Sequence, residues 1–180
     1  MAGNALLHAA ALLDELQVGR GMRIADFGAG RTAHIAFPAA RLVGSEGVVY
    51  AIDIHPDSLV MIDGHRKLHA QTNLESVRGN IERYGGVPLP SSSVDLVFIV
   101  STLWQARNHA DIAKEAWRLV RPGGRLAVVD WHRETAHPVA PPVHLRVDQR
   151  AIDPAFTHAG WRLVRDIAPS PWHWGRVYSS

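Results

Sequence analysis

The sequence predicts an α/β fold: a mostly parallel sheet with helices on both faces and a closing antiparallel hairpin. Three observations predict it. Five short apolar segments alternate with helical segments, polar or glycine-bearing turns follow those apolar segments, and two further strand-like segments end the chain. A chain of 180 residues, 47% of them hydrophobic, fits one domain spanning 1–180.

Leu6, Leu7, Ala10, Leu13 and Leu16 recur at three- and four-residue spacing, predicting an amphipathic N-terminal helix at about 5–17. Residues 23–27 read as a first strand with Ile24 and Phe27 as core formers, closed by the turn Gly28-Ala29-Gly30. A helix follows from Thr32 or His34 to about Leu42. Pro38 would break a hydrogen bond in its interior, so the helix should start late or bend. Residues 48–52 are almost wholly apolar, as a strand covered on both faces requires. Asp53 ends that strand, and Pro56 suits the first turn of a helix reaching about Ala70.

A third strand, 74–78, leads into Gly79-Asn80-Ile81, and 83–93 reads mainly as loop. The run 94–100 suits a central buried strand. Ile112, Ala116 and Val120 place one apolar side on a helix over 110–120, stopped by Pro122-Gly123-Gly124. A fifth strand is expected at 125–130, a helix within 148–160, and the final hairpin from 161–167 and 174–178.

Composition narrows the function. Nineteen basic against 17 acidic residues leave a net charge of +2, and no basic run marks a nucleic-acid groove. The absence of cysteine excludes a disulfide scaffold, a thiolate metal site and a cysteine nucleophile. No segment approaches the roughly 20 apolar residues that cross a bilayer. A cytoplasmic protein without a membrane partner is expected.

In an open parallel sheet, ligands bind beyond the carboxyl ends of strands, near the switch in strand order. The polar and glycine-rich residues gather there: Asp26 to Gly30 after strand one, Asp53 after strand two, Asn80 after strand three. Ser101-Thr102 and Asp130-Trp131-His132 follow strands four and five. Gly28 and Gly30 allow a sharp turn and close backbone approach to a ligand. Asp53, 25 residues beyond Gly28, is spaced to accept both hydrogen bonds of a ribose diol. Asp26 needs partners if buried, either loop N–H groups or a ligand ammonium. Asn80 can meet the amino edge of an adenine while Ile81 packs on its face; as a plain turn residue it would do neither.

These segments resemble the class I S-adenosylmethionine-dependent methyltransferases, especially the small ubiquinone and menaquinone biosynthesis C-methyltransferases. Asp26-x-Gly28-x-Gly30-x-Thr32 is similar to their first motif, and 49–53 to their second strand with its ribose-binding acid. Gly79-Asn80-Ile81 stands where glycine-aspartate-alanine is usual. The most specific match is 119–126, Leu-Val-Arg-Pro-Gly-Gly-Arg-Leu. The resemblance runs from about Leu12 to the C terminus and implies a Rossmann-like seven-stranded sheet. It also implies S-adenosyl-L-methionine as cofactor. Carried over by position, Asp26, Gly28, Ala29 and Gly30 would wrap the methionine and sugar. Asp53 and Ile54 would hold the ribose and one adenine edge, Asn80 and Ile81 the base, and Ser101 the methionine end.

The methyl acceptor, small molecule or macromolecule, is not identified by any motif. Ser101-Thr102-Leu103-Trp104 is not the Asn/Asp-Pro-Pro-aromatic motif of enzymes acting on exocyclic nitrogens. Among residues after strands four and five, His132 and then His109 suit general-base work near pH 7. His132, His137 and His144 match no compact metal motif, so no metal is expected. Three alternatives stay open: a cofactor-binding protein of the same fold without turnover, a subunit completed by a second copy or a partner, and an NAD(P)-dependent oxidoreductase. The last reads Gly28-x-Gly30-x-x-Ala33 as a dinucleotide fingerprint, with Arg31 pairing a phosphate.

Overall fold

The computed structural model describes residues 6–180. Seven strands form one sheet in the order β3-β2-β1-β4-β5-β7-β6. Strands β1 (Arg23–Phe27), β2 (Val48–Asp53), β3 (Leu74–Arg78), β4 (Val94–Val100) and β5 (Val120–Trp131) run parallel. The hairpin of β6 (Arg162–Ser170) and β7 (His173–Ser179) adds antiparallel, with β7 against β5. Chain order therefore reverses between β1 and β4, the crevice where ligands enter such sheets.

Both faces are covered, which explains the nearly unbroken apolar runs of β2 and β4. On one face Ile24, Leu96, Phe98 and Val129 pack with the buried side of α1 (Ala9–Glu15) and α2 (Ala36–Val43). On the other, Phe27, Val97, Ile99 and Val128 meet α4 (His109–Leu119) and Phe156 of the short α5 (Asp153–His158). Helix α3 (Pro56–Leu68) packs beside β3, sending Ile62 into the first core.

The strand starts expected from sequence hold for β1 to β4, and the departures have local causes. The first helix is shorter than 5–17: His8 caps it by accepting the Ala11 N–H, which leaves Leu6 and Leu7 ahead of it. Its expected start, Ala5, lies outside the described residues. Helix α2 begins late, so Pro38 falls in its first turn, where a missing N–H costs nothing. Strand β5 starts directly at Val120, and Pro122-Gly123-Gly124 lies inside it where the pairing with β4 shifts register. The helix expected within 148–160 is there, six residues long and beginning just before Pro154. Among the described residues no helix is long and apolar enough to cross a membrane.

Candidate ligand cleft

A cleft of about 350 Å³ opens beyond the carboxyl ends of β1 to β4. It is lined by Gly28, Gly30, Asp53, Ile54, Asn80 and Ile81 among the residues singled out from sequence. Arg31, His55, Ser58, Gly79, Glu82, Thr102, Gln105 and Ala106 complete its walls.

The glycine turn and the end of β2 are tied together through the backbone. Gly28 and Ala29 both donate to the Ile52 carbonyl, at 2.9 and 3.0 Å. Gly30 donates to Asp53 Oδ2 at 2.9 Å, and His55 donates to Asp53 Oδ1 at 2.8 Å. Asp53 is only 7% exposed, yet each of its oxygens keeps a second lone pair for a ligand hydroxyl.

The two glycines do different work. Gly30, at φ +63°, has nothing within 4 Å of where a Cβ would stand, so that direction is open space. At Gly28, φ +74°, a Cβ would meet Thr102 Cγ2 and Oγ1 at 2.7 Å. Gly28 is thus required by the close packing of the β1 turn on the segment after β4. Thr102 is fixed in turn by its hydroxyl, within reach of the Phe27 and Val100 carbonyls at 3.2 and 3.0 Å.

Asp26 and Ala29 are buried behind the turn and do not line the cleft. Burial pushes the Asp26 carboxyl up to about 7; the Ala36 backbone N–H at the start of α2 opposes this, while the charge of Asp53 adds to it. Ser101 also stands off the cleft, its amide donating to Val129 and its carbonyl accepting the Trp104 indole N–H. The residue after it, Thr102, takes the place in the wall.

Neither histidine singled out from sequence lines this cleft. His109 Nε2 lies 2.9 Å from the Leu103 carbonyl, so that nitrogen carries the proton and donates it there. His132 lines a separate polar recess of about 240 Å³ with Arg133, Glu134, Asp148 and Trp174. Asp130, at the end of β5, is fully buried and accepts from the Leu103, Trp104 and Trp131 amides. Burial outweighs those bonds and pushes its carboxyl up to about 7. Among the described residues no group of three or more His, Cys, Asp or Glu is placed to hold a metal ion.

Sequence reasoning placed Thr102 at the end of strand four without a role, and missed Glu82. The signal for Glu82 was its place directly after Asn80-Ile81, at the end of β3; its carboxylate accepts from Arg107 and Asn108 at 2.6 and 2.9 Å. That closes the wall between the β3 and β4 turns.

Known proteins share this fold and much of this sequence pattern. The sequence model of a family described as a methyltransferase domain matches residues 25–128. The chain is 30% identical over 121 residues to a demethylmenaquinone methyltransferase of Lactococcus lactis, covering 67% of this chain and 45% of that protein. It is 29% identical over 128 residues to an arsenite methyltransferase of Aquipseudomonas alcaligenes, covering 69% and 35%. The chain thus spans less than half the length of these relatives. Its fold superposes on a SAM-dependent methyltransferase from Aquifex aeolicus with TM-score 0.88 at 22% identity, covering 99% of this chain and 92% of that one.

Proposed function

From the premise that the chain belongs to the methyltransferase domain family, we propose that it binds S-adenosylmethionine in the β1–β4 cleft and transfers its methyl group to an acceptor. One observation carries the choice of ligand. Every N–H of the glycine turn is already spent, two on Ile52 and one on Asp53, and Asp26 occupies the start of α2. A dinucleotide pyrophosphate needs those same donors free. Two buried acids beside a turn whose Gly28, Ala29 and Gly30 amides are all engaged suit a ligand with a sugar diol and an ammonium group better than one with a pyrophosphate. This favours methyl transfer over an NAD(P)-dependent oxidoreductase.

The residues present fit that cofactor. The open space at Gly30 admits its backbone, Asp53 keeps lone pairs for the ribose, Ile54 and Ile81 offer apolar contact to the base, and Asp26, buried behind the turn rather than in the wall, can balance an ammonium through space. When bound, the sulfonium supplies a methyl group already activated for transfer. The chain's own task is to hold the acceptor's nucleophile in line and to exclude water. On the acceptor side we assign His132, at the end of β5, as the first general-base candidate. His109 follows, its ring already committed to Leu103. The relatives named above act on acceptors as different as demethylmenaquinone and arsenite, so family membership alone does not select one.

Calorimetric titration tests the reading. S-adenosylhomocysteine should bind with micromolar affinity while NAD and NADP give no heat; the reverse order would overturn it.

A further inference from the structure

Resting on that reading, we infer that Asp130 is a positioning residue for the amino-acid end of the cofactor, acting through Thr102. The sheet order runs β3-β2-β1-β4, so on that reading the base and ribose lie toward Asn80 and Asp53. The amino-acid end then falls between Gly28 and Thr102.

Thr102 stands just ahead of the 3₁₀ turn Leu103–Gln105, where a threonine hydroxyl ordinarily caps the amides that follow. Here it makes no capping bond. Its hydroxyl turns back within reach of the Phe27 and Val100 carbonyls, and its side chain fills the space that a Cβ on Gly28 would need. The amides left uncapped, those of Leu103 and Trp104, are accepted by Asp130 Oδ2 at 2.9 and 3.3 Å. Asp130 thus takes over the cap and leaves Thr102 to hold the glycine turn.

The other oxygen of Asp130 accepts the Trp131 amide at 2.8 Å, so the side chain meets N–H donors on both sides. A carboxylate accepts on both oxygens, whereas an asparagine would turn its NH₂ on one set of donors. Asp130 is fully buried and no cation opposes it, a costly arrangement in an apolar interior. What that burial achieves is to join the cleft wall after β4 to the end of β5, which leads into His132.

Dissociation constants for S-adenosylhomocysteine and for methylthioadenosine, which lacks the amino-acid end, test this. They are measured on the wild type, Asp130→Asn, Thr102→Val and the double variant. Asp130→Asn should weaken S-adenosylhomocysteine by about tenfold, the effect of one hydrogen bond, and methylthioadenosine by less than about twofold. Thr102→Val, which keeps the shape and loses the hydroxyl, should show the same selective loss. Because the acid acts through the threonine, the double variant should bind within about twofold of Thr102→Val alone. Losses that multiply, as for independent sites, would overturn the inference. If Asp130 only braces the fold, Asp130→Asn lowers the unfolding temperature and leaves the ratio of the two affinities at its wild-type value, which overturns it too. Should Asp130→Asn fail to fold, Thr102→Val decides alone, and an unchanged ratio there overturns the inference. A wild type that binds neither ligand would instead bring down the functional reading on which this one rests.

Discussion

Asp53 accepts the backbone N–H of Gly30 at 2.9 Å, so the acid at the end of β2 also fixes the shape of the turn after β1. Ligand grip and loop geometry depend on one carboxylate. Asp53→Ala should weaken S-adenosylhomocysteine binding by about 1–3 kcal/mol, the cost of leaving buried hydrogen-bond groups unpaired. Asp53→Asn should rescue little, because its NH₂ would face the N–H of either Gly30 or His55. Titration of the three proteins checks this, and full affinity in Asp53→Asn would be the contrary result.

Gly28→Ala and Gly30→Ala should separate stability from binding. Both place alanine at positive φ, a strain of about 1–2 kcal/mol. At Gly28 the overlap with Thr102 adds about 1–3 kcal/mol, so thermal unfolding should show a clearly larger loss there. Gly30→Ala meets no protein atom and should act chiefly on ligand affinity.

The buried pair of Glu115 and Arg118 anchors the loop after β3. Glu115 accepts from Gly85 and Val87, while Arg118 donates to the Val87 and Leu89 carbonyls. Their side chains are 0% and 12% exposed, so removing one partner by Glu115→Ala should cost about 3–5 kcal/mol in denaturant unfolding. Burial raises the Glu115 carboxyl, but the Arg118 hydrogen bond and the two amides outweigh it and hold it below its ordinary 4.5. A carboxyl depressed on folding stabilises above that ordinary value. Its contribution should be lost as pH falls through the lower folded value.

Asp26 and Asp130 have the opposite sign. Both are raised on folding from 3.8 to about 7, so the folded state holds more protons between those values. Their contribution is full below the unfolded value and is lost as pH rises through about 7, so unliganded stability should decline across this window. Asp26→Asn should flatten that decline. An ammonium arriving beside Asp26 favours the carboxylate, so S-adenosylhomocysteine binding near pH 6.5 should release protons. Calorimetry in buffers of different ionisation enthalpy should detect the release, and Asp26→Asn should diminish it.

The sheet was legible because alternation of apolar runs with glycine or acid turns is a backbone property that survives packing. Strand β4 and the turn at Gly28 are cases in point. What sequence did not carry was the direction in which each turn leaves its strand. Ser101 and Thr102 are equally polar neighbours, but Ser101 adopts φ +52° and Thr102 enters the wall. His109 and His132 also follow the expected strands, and only the course of the chain beyond β4 and β5 takes them away from the cleft. Helix α5 falls inside the span expected for it, with Pro154 in its first turn, and local pattern left only its length open.

A crystal structure with S-adenosylhomocysteine, read at the Asp53 carboxylate, tests the central claim most directly. Both ribose hydroxyls should lie within hydrogen-bond distance of Asp53, with the sulfur near Gly30. A ligand lodged elsewhere, or a cleft that stays empty in folded protein at millimolar ligand, would contradict it.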